Sequence, residues 1–227
     1  MLIIFDLDDT LIDTSGCITP VKLEDALRRM VEKGLELPDF EDGLELLKRL
    51  DSTAESSSRS LAEFLEILNA DSSLLEVGIK EVYENIPEDL PVFSLEGAKE
   101  VLNELALEHQ LALVTIGKPV QQMAKLKKAG IDSGLFSKIA VSEERNKKIY
   151  YKKIIEDLGY SSSEVAVCGD RIPIDLAPAR ELGCKTIQIR WGRGLNSTGF
   201  KSDVDYVISH LKELKEIISS LMTFSIF

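Results

Sequence analysis

Leu2-Ile3-Ile4-Phe5-Asp6-Leu7-Asp8-Asp9-Thr10 opens the chain, an apolar run that passes straight into a cluster of acids. Four apolar residues bounded by polar ones read as a short buried strand. Along a strand, residues i and i+2 point to one face, so the spacing predicts Asp6 and Asp8 on a shared side while Leu7 packs inward. Two like charges about 4 Å apart repel by roughly 4 kcal/mol at an effective dielectric near 20. Such a pair needs a cationic partner, or open water at the end of its strand.

Outward from this stretch, apolar runs at Leu2–Phe5, Leu111–Thr115, Lys138–Val141, Val165–Cys168, Thr186–Ile189 and Tyr206–Ile208 alternate with helical patterns. That alternation predicts an α/β fold, a doubly wound (Rossmann-like) parallel sheet with crossover helices. The interval after the first acids breaks the rule. Leu23, Ala26, Leu27, Met30 and Val31 recur at helical spacing, as do Leu44, Leu47 and Leu50, then Leu61, Phe64, Leu65 and Leu68, then a weaker stripe from Leu74 to Tyr83. The expected organisation is a core of residues 1–13 and 93–227 carrying an all-helical insertion over 14–92. The polar stretch Asp51 to Ser58 is expected to connect two of its helices.

The 227 residues and 44% hydrophobic content suit one core domain with a smaller one appended. A formal net charge of −12 argues against nucleic acid and against an anionic membrane surface, because both demand clustered Lys and Arg. An anionic substrate would need a local cationic pocket. Cys17, Cys168 and Cys184 are isolated and show no metal or disulfide spacing. The chain shows no basic leader and no long apolar segment, and a cytoplasmic protein is expected.

Three further segments carry chemistry. Val165 to Cys168 ends at Gly169-Asp170, followed by Arg171-Ile172-Pro173-Ile174-Asp175. Gly169 admits close backbone approach, Asp170 stands at the strand's carboxyl end, and Pro173 fits a first helical turn that favours a carboxylate at Asp175. Thr115, Gly117 and Lys118 lie where a strand gives way to a helix opened by Pro119, so a hydroxyl and helix-start amides could cradle an anion. Arg145-Asn146-Lys147-Lys148 supplies cations just before a helix carrying Tyr151 and Ile155. In an open parallel sheet, ligands bind outside the carboxyl ends of strands near the topological switch point.

Taken in this order, the motifs resemble those of the haloacid dehalogenase superfamily of phosphohydrolases, over residues 1 to about 210, and the helical insertion resembles the cap of its phosphoglycolate-phosphatase-like subgroup. The resemblance implies a Mg²⁺-dependent phosphatase acting on a small phosphorylated metabolite. It implies Asp6 as nucleophile forming an aspartyl-phosphate and Asp8 as the acid and base. It further implies that Thr115 binds a phosphoryl oxygen, and Gly117, Lys118 and Lys148 are added as candidate substrate-binding residues. Asp6, the Asp8 carbonyl and Asp170 would hold Mg²⁺, with Asp175 supporting that shell or orienting a lysine. The family often sets this lysine before a proline, and no Lys-Pro pair stands at this point of the chain; Lys147 is assigned, with Lys148 and Arg145 as alternatives. A phosphomutase, a 2-haloacid dehalogenase and a non-catalytic phosphate-binding protein are the rival readings. Dehalogenation needs neither metal nor leaving-group acid, which the retained Asp8, Asp170 and Asp175 argue against. Monomer and homodimer are both open.

Overall fold

The computed structural model describes residues 1–84, 87, 89–142 and 146–223. Its chain divides into two compact units, Thr14–Pro91 and the remainder, Met1–Asp13 with Val92–Phe227.

The first unit is helical: α1 (Thr19–Glu32), α2 (Phe40–Thr53), α3 (Ser57–Ile67) and α4 (Leu74–Glu84). Pro20 fits the opening turn of α1, and the Asp39 side chain caps α2 by accepting the Asp42 N–H at 3.0 Å. The apolar stripes meet in one core of Leu23, Leu27, Met30, Leu47, Leu61 and Phe64. Val31, expected with the α1 stripe, is exposed instead, because it sits one step beyond the buried face of Leu23, Ala26, Leu27 and Met30. Lys22 is buried beside that core, and its ammonium reaches Asp25 at 2.8 Å and Glu81 at 3.1 Å, tying α1 to α4.

The polar stretch behaves differently from its composition. Asp51 to Thr53 complete α2 and Ser57 already begins α3, so residues 54–56 alone connect them. Ser56 caps α3 through the Arg59 N–H, and buried Asp51 accepts the Ser60 hydroxyl at 2.8 Å. These serines and the aspartate serve as caps and a buried bond rather than as a loop.

In the second unit, β1 (Leu2–Phe5), β2 (Gln110–Ile116), β3 (Phe136–Ser142), β4 (Val165–Gly169), β5 (Lys185–Ile189) and β6 (Tyr206–Ile208) form one sheet in the order β3-β2-β1-β4-β5-β6. Every pairing is parallel. Helices α5 (Ala98–Leu105), α6 (Pro119–Lys128), α7 (Lys148–Leu158), α8 (Ala177–Glu181) and α9 (Leu214–Thr223) accompany the strands. The middle strands are apolar on both faces, as a sheet covered by helices on both sides requires. Phe5 pairs with Leu113 on one side and Cys168 on the other. The strand order reverses between β1 and β4, so their carboxyl ends flank the switch point. Cys17, Cys168 and Cys184 are free thiols. Among the described residues no helix is long and apolar enough to cross a membrane.

Phe64 is wholly buried at the centre of the helical core. Phe64→Ala is expected to lower the stability of that unit by about 3–5 kcal/mol, read as a lower denaturant midpoint in circular dichroism.

Candidate active site

The ends of β1 and β4 are joined directly, for the Asp6 N–H donates to the Cys168 carbonyl at 3.0 Å. The strand itself ends at Phe5, and a turn follows Asp6. The Leu7 carbonyl accepts the N–H groups of Leu11 at 2.9 Å and Ile12 at 3.0 Å, and Asp9 adopts a left-handed conformation with φ 56°. Asp8 therefore lies on a tight turn and not on the strand, and its direction is set by that turn and not by strand alternation.

Asp6 is buried with the ammonium of Lys147, whose Nζ stands 2.5 Å from Asp6 Oδ1 and 2.6 Å from Asp175 Oδ1. All three side chains are withdrawn from solvent. The second Asp175 oxygen accepts the Arg171 N–H at 2.9 Å. Gly169 makes room for this arrangement, since a Cβ there would stand 2.5 Å from the Asp175 Cβ. Asp170 is as deeply buried, but its Oδ1 has no hydrogen-bond partner and meets only the Arg171 guanidinium at 3.9 Å. Carboxylate oxygens of Asp6, Asp170 and Asp175 lie within 4.8 Å of one another.

The electrostatics follow from burial and from who faces whom. Burial pushes the Asp6 carboxyl up to about 6; Lys147 opposes the rise, while Asp175 and Asp8 add to it. Burial and the neighbouring Asp175 push Asp170 well above the ordinary carboxylate range, against the pull of Arg171. Burial acts on Asp175 in the same direction, yet Lys147 and Arg171 together outweigh it and hold this carboxyl below its ordinary value. Burial alone would depress the Lys147 ammonium, and Asp175 and Asp6 reverse the sign and raise it. Asp175 is thus a satisfied anion, whereas Asp170 has only the more distant Arg171 guanidinium against its burial.

A second group forms around Asp8. Its Oδ1 meets Lys125 Nζ at 2.8 Å and its Oδ2 accepts from Gln122 Nε2 at 2.8 Å. The same amide reaches the Thr115 hydroxyl at 2.6 Å. The Thr115 hydroxyl oxygen is the acceptor in this contact, since an amide nitrogen only donates.

Of the residues singled out by sequence, Asp6, Lys147, Asp170 and Asp175 form one cluster, and Asp8 and Thr115 share Gln122. Others stand apart. The Gly117 N–H is committed to the Ser142 carbonyl at 2.8 Å, so it offers no amide to an anion. Lys118 is exposed at the start of α6. Lys148, one residue past Lys147, turns to the surface and pairs with Glu181 at 2.6 Å, which separates it from the carboxylates. Arg145 lies outside the described residues.

Sequence reading passed over Gln122 and Lys125. Their signal is i,i+3 spacing on the helix opened by Pro119, and it is indistinguishable from an ordinary solvated helix face without the fold. The segment Trp191 to Gly194 is pinned to the acidic turn. The Trp191 indole N–H donates to Asp13 Oδ1 at 2.8 Å. A Cβ on Gly192 (φ 48°) would fall 2.4 Å from the Asp9 carboxyl carbon, so this loop packs against the turn that carries the acids.

The chain is similar to known proteins over nearly its whole length. Glyceraldehyde 3-phosphate phosphatase from Methanocaldococcus jannaschii is 28% identical over 228 residues, covering 96% of this chain and 97% of that protein. A predicted phosphoglycolate phosphatase from Haemophilus somnus superposes with a TM-score of 0.73 at 19% identity, covering 95% of this chain and 96% of its own. The HAD-hydrolase YfnB from Bacillus subtilis, in a magnesium-bound form, superposes with a TM-score of 0.68 at 20% identity, covering 96% and 97%. A model of the family described as haloacid dehalogenase-like hydrolase matches residues 3–189, a span that takes in the switch-point cluster from Asp6 to Asp175, and the chain belongs to that family.

Proposed function

We propose that this hydrolase cleaves a small phosphorylated metabolite by way of an aspartyl-phosphate on Asp6, with Mg²⁺ as cofactor. One observation carries the reading: at the switch point of the sheet, Lys147 clamps Asp6 and Asp175 while the buried Asp170 Oδ1 is left without a partner. A fixed carboxylate beside a cation suits attack on a phosphate dianion, and the leftover Asp170 oxygen is where a metal ion would add the positive charge such attack needs.

The donor set fits magnesium. Asp6 and Asp170 offer hard carboxylate oxygens, with no histidine in the cluster, and Asp170 has the orphaned oxygen that a cation would satisfy. Asp175, both of whose oxygens are engaged, supports the reading in which it orients Lys147. The Asp8 carbonyl would complete the protein ligands. When bound, the ion offsets the negative charge of the transferring phosphoryl group.

The chain's own residues supply the rest. Asp6 attacks phosphorus as its ester bond to the substrate alcohol breaks. Asp8 gives the departing oxygen a proton, later takes one from the attacking water, and inorganic phosphate leaves with Asp6 restored. Lys147 orients the nucleophile through Oδ1 and shares its charge. The Thr115 hydroxyl donates to a phosphoryl oxygen. The helical unit is proposed to act as a cap that selects the substrate. The archaeal relative's name makes triose phosphates the first compounds to assay.

Asp6→Asn is expected to abolish phosphate release from an aryl phosphate with the far-ultraviolet spectrum unchanged; near-wild-type turnover would overturn the mechanism. Stripping divalent ions with a chelator is expected to silence the enzyme, and Mg²⁺ alone to restore it in a colorimetric phosphate assay. Lys147→Met is expected to lower kcat by at least about 10²-fold, measured by steady-state kinetics on the same substrate.

A further inference from the structure

In the proposed mechanism Asp8 must aim one carboxyl group at the oxygen that departs with the substrate alcohol. Unlike Asp6, it is not buried: its side chain is 26% exposed and stands on a turn. A short carboxylate in that position turns freely about its side-chain bonds unless something holds it. Two residues on one face of α6 do so, one on each oxygen: Lys125 Nζ at 2.8 Å from Oδ1 and Gln122 Nε2 at 2.8 Å from Oδ2. Gln122 is almost wholly buried and braced by the Thr115 hydroxyl and the Ile116 carbonyl at 3.1 Å. Lys125 is 13% exposed. Ion pairs on open protein surfaces contribute little to stability, but a carboxylate held at both oxygens is pre-aimed, and misplacing a reacting group by about 1 Å can cost roughly 10²-fold in rate.

We infer that Lys125, seconded by Gln122, is a positioning residue that fixes the Asp8 carboxyl for proton delivery to the leaving alcohol. The inference rests on Asp8 being the general acid. It makes α6 part of the machinery of the reaction and not a surface helix with a basic face. Lys125 is the residue to vary, since Gln122 also braces Thr115 and its loss would disturb phosphate binding.

The discriminating measurement compares leaving groups. An aryl phosphate departs as a stable phenolate and gains little from an acid, whereas an alkyl phosphate depends on one. The quantity kcat/KM stops at the first irreversible step, the loss of the alcohol, so it isolates proton delivery from the later attack of water. Lys125→Met, Lys125→Gln, Lys125→Arg and Asp8→Asn are assayed on p-nitrophenyl phosphate and on an alkyl monophosphate substrate. Lys125→Met and Lys125→Gln are expected to lower kcat/KM for the alkyl ester by about tenfold or more and for the aryl ester by less than about twofold. Lys125→Arg is expected to recover most of the loss. Asp8→Asn should show the same selectivity at larger amplitude. Equal losses on both esters, or none on the alkyl ester, in whichever Lys125 variant folds would overturn the positioning role. Equal losses in Asp8→Asn would instead remove the acid itself, and the clamp with it.

Discussion

One ammonium nitrogen lies 2.5 Å from the Asp6 carboxylate and 2.6 Å from that of Asp175, with none of the three exposed to water. Withdrawing such ions from water costs several kcal/mol each, and good geometry with further hydrogen bonds is what offsets the cost. The Arg171 N–H on the second Asp175 oxygen is one such bond. Counted formally, Asp6, Asp170 and Asp175 outnumber Lys147 and Arg171 by one negative charge, before any phosphate approaches. The shortfall falls on Asp170, whose carboxyl burial pushes upward and whose Oδ1 finds no partner. The cluster is therefore stable as an arrangement and incomplete as a charge balance, a combination that favours a bound cation.

The fold was legible because a parallel sheet writes itself in short apolar runs. All six strands appear within a residue or two of where apolar periodicity ends, and the helical interval after the first acids forms its own compact unit. Errors arose where local chemistry competes with composition. Asp51 to Ser58 looks like a loop because Ser and Asp favour turns, yet the same side chains cap α3 and bond across α2 and α3. Strand alternation was carried too far at Asp8, because a turn closed by the Leu7 carbonyl leaves no apolar gap that periodicity could register.

Asp6 and Asp170 of the candidate site were legible because each directly follows a buried apolar strand, where a carboxylate stands out. Lys147 could be found only by its place before a helix and one turn ahead of Tyr151, and its neighbour Lys148 is chemically identical in sequence. The backbone separates the two: one side chain turns into the core to meet Asp6, while the other meets Glu181 at the surface. Gln122 and Lys125 were illegible for a different reason. Their partner Asp8 is more than a hundred residues away, and only the adjacency of β1 and β2 brings α6 to it.

Asp6 and Asp8 are the same amino acid two positions apart, and the fold gives them unlike surroundings. The first is sealed behind a buried ammonium and lies close to two further carboxylates, conditions that hold a side chain in one orientation. The second is part-exposed, and a lysine and an amide from one helix meet its two oxygens. Pairs of titratable groups acquire distinct chemical duties when their environments diverge. Here the divergence begins at Leu7: its carbonyl gathers the turn that follows Asp6, and the Asp8 carboxylate meets α6. A single backbone turn thus separates the buried carboxylate from the part-exposed one, and α6 supplies the second with both of its side-chain contacts described above.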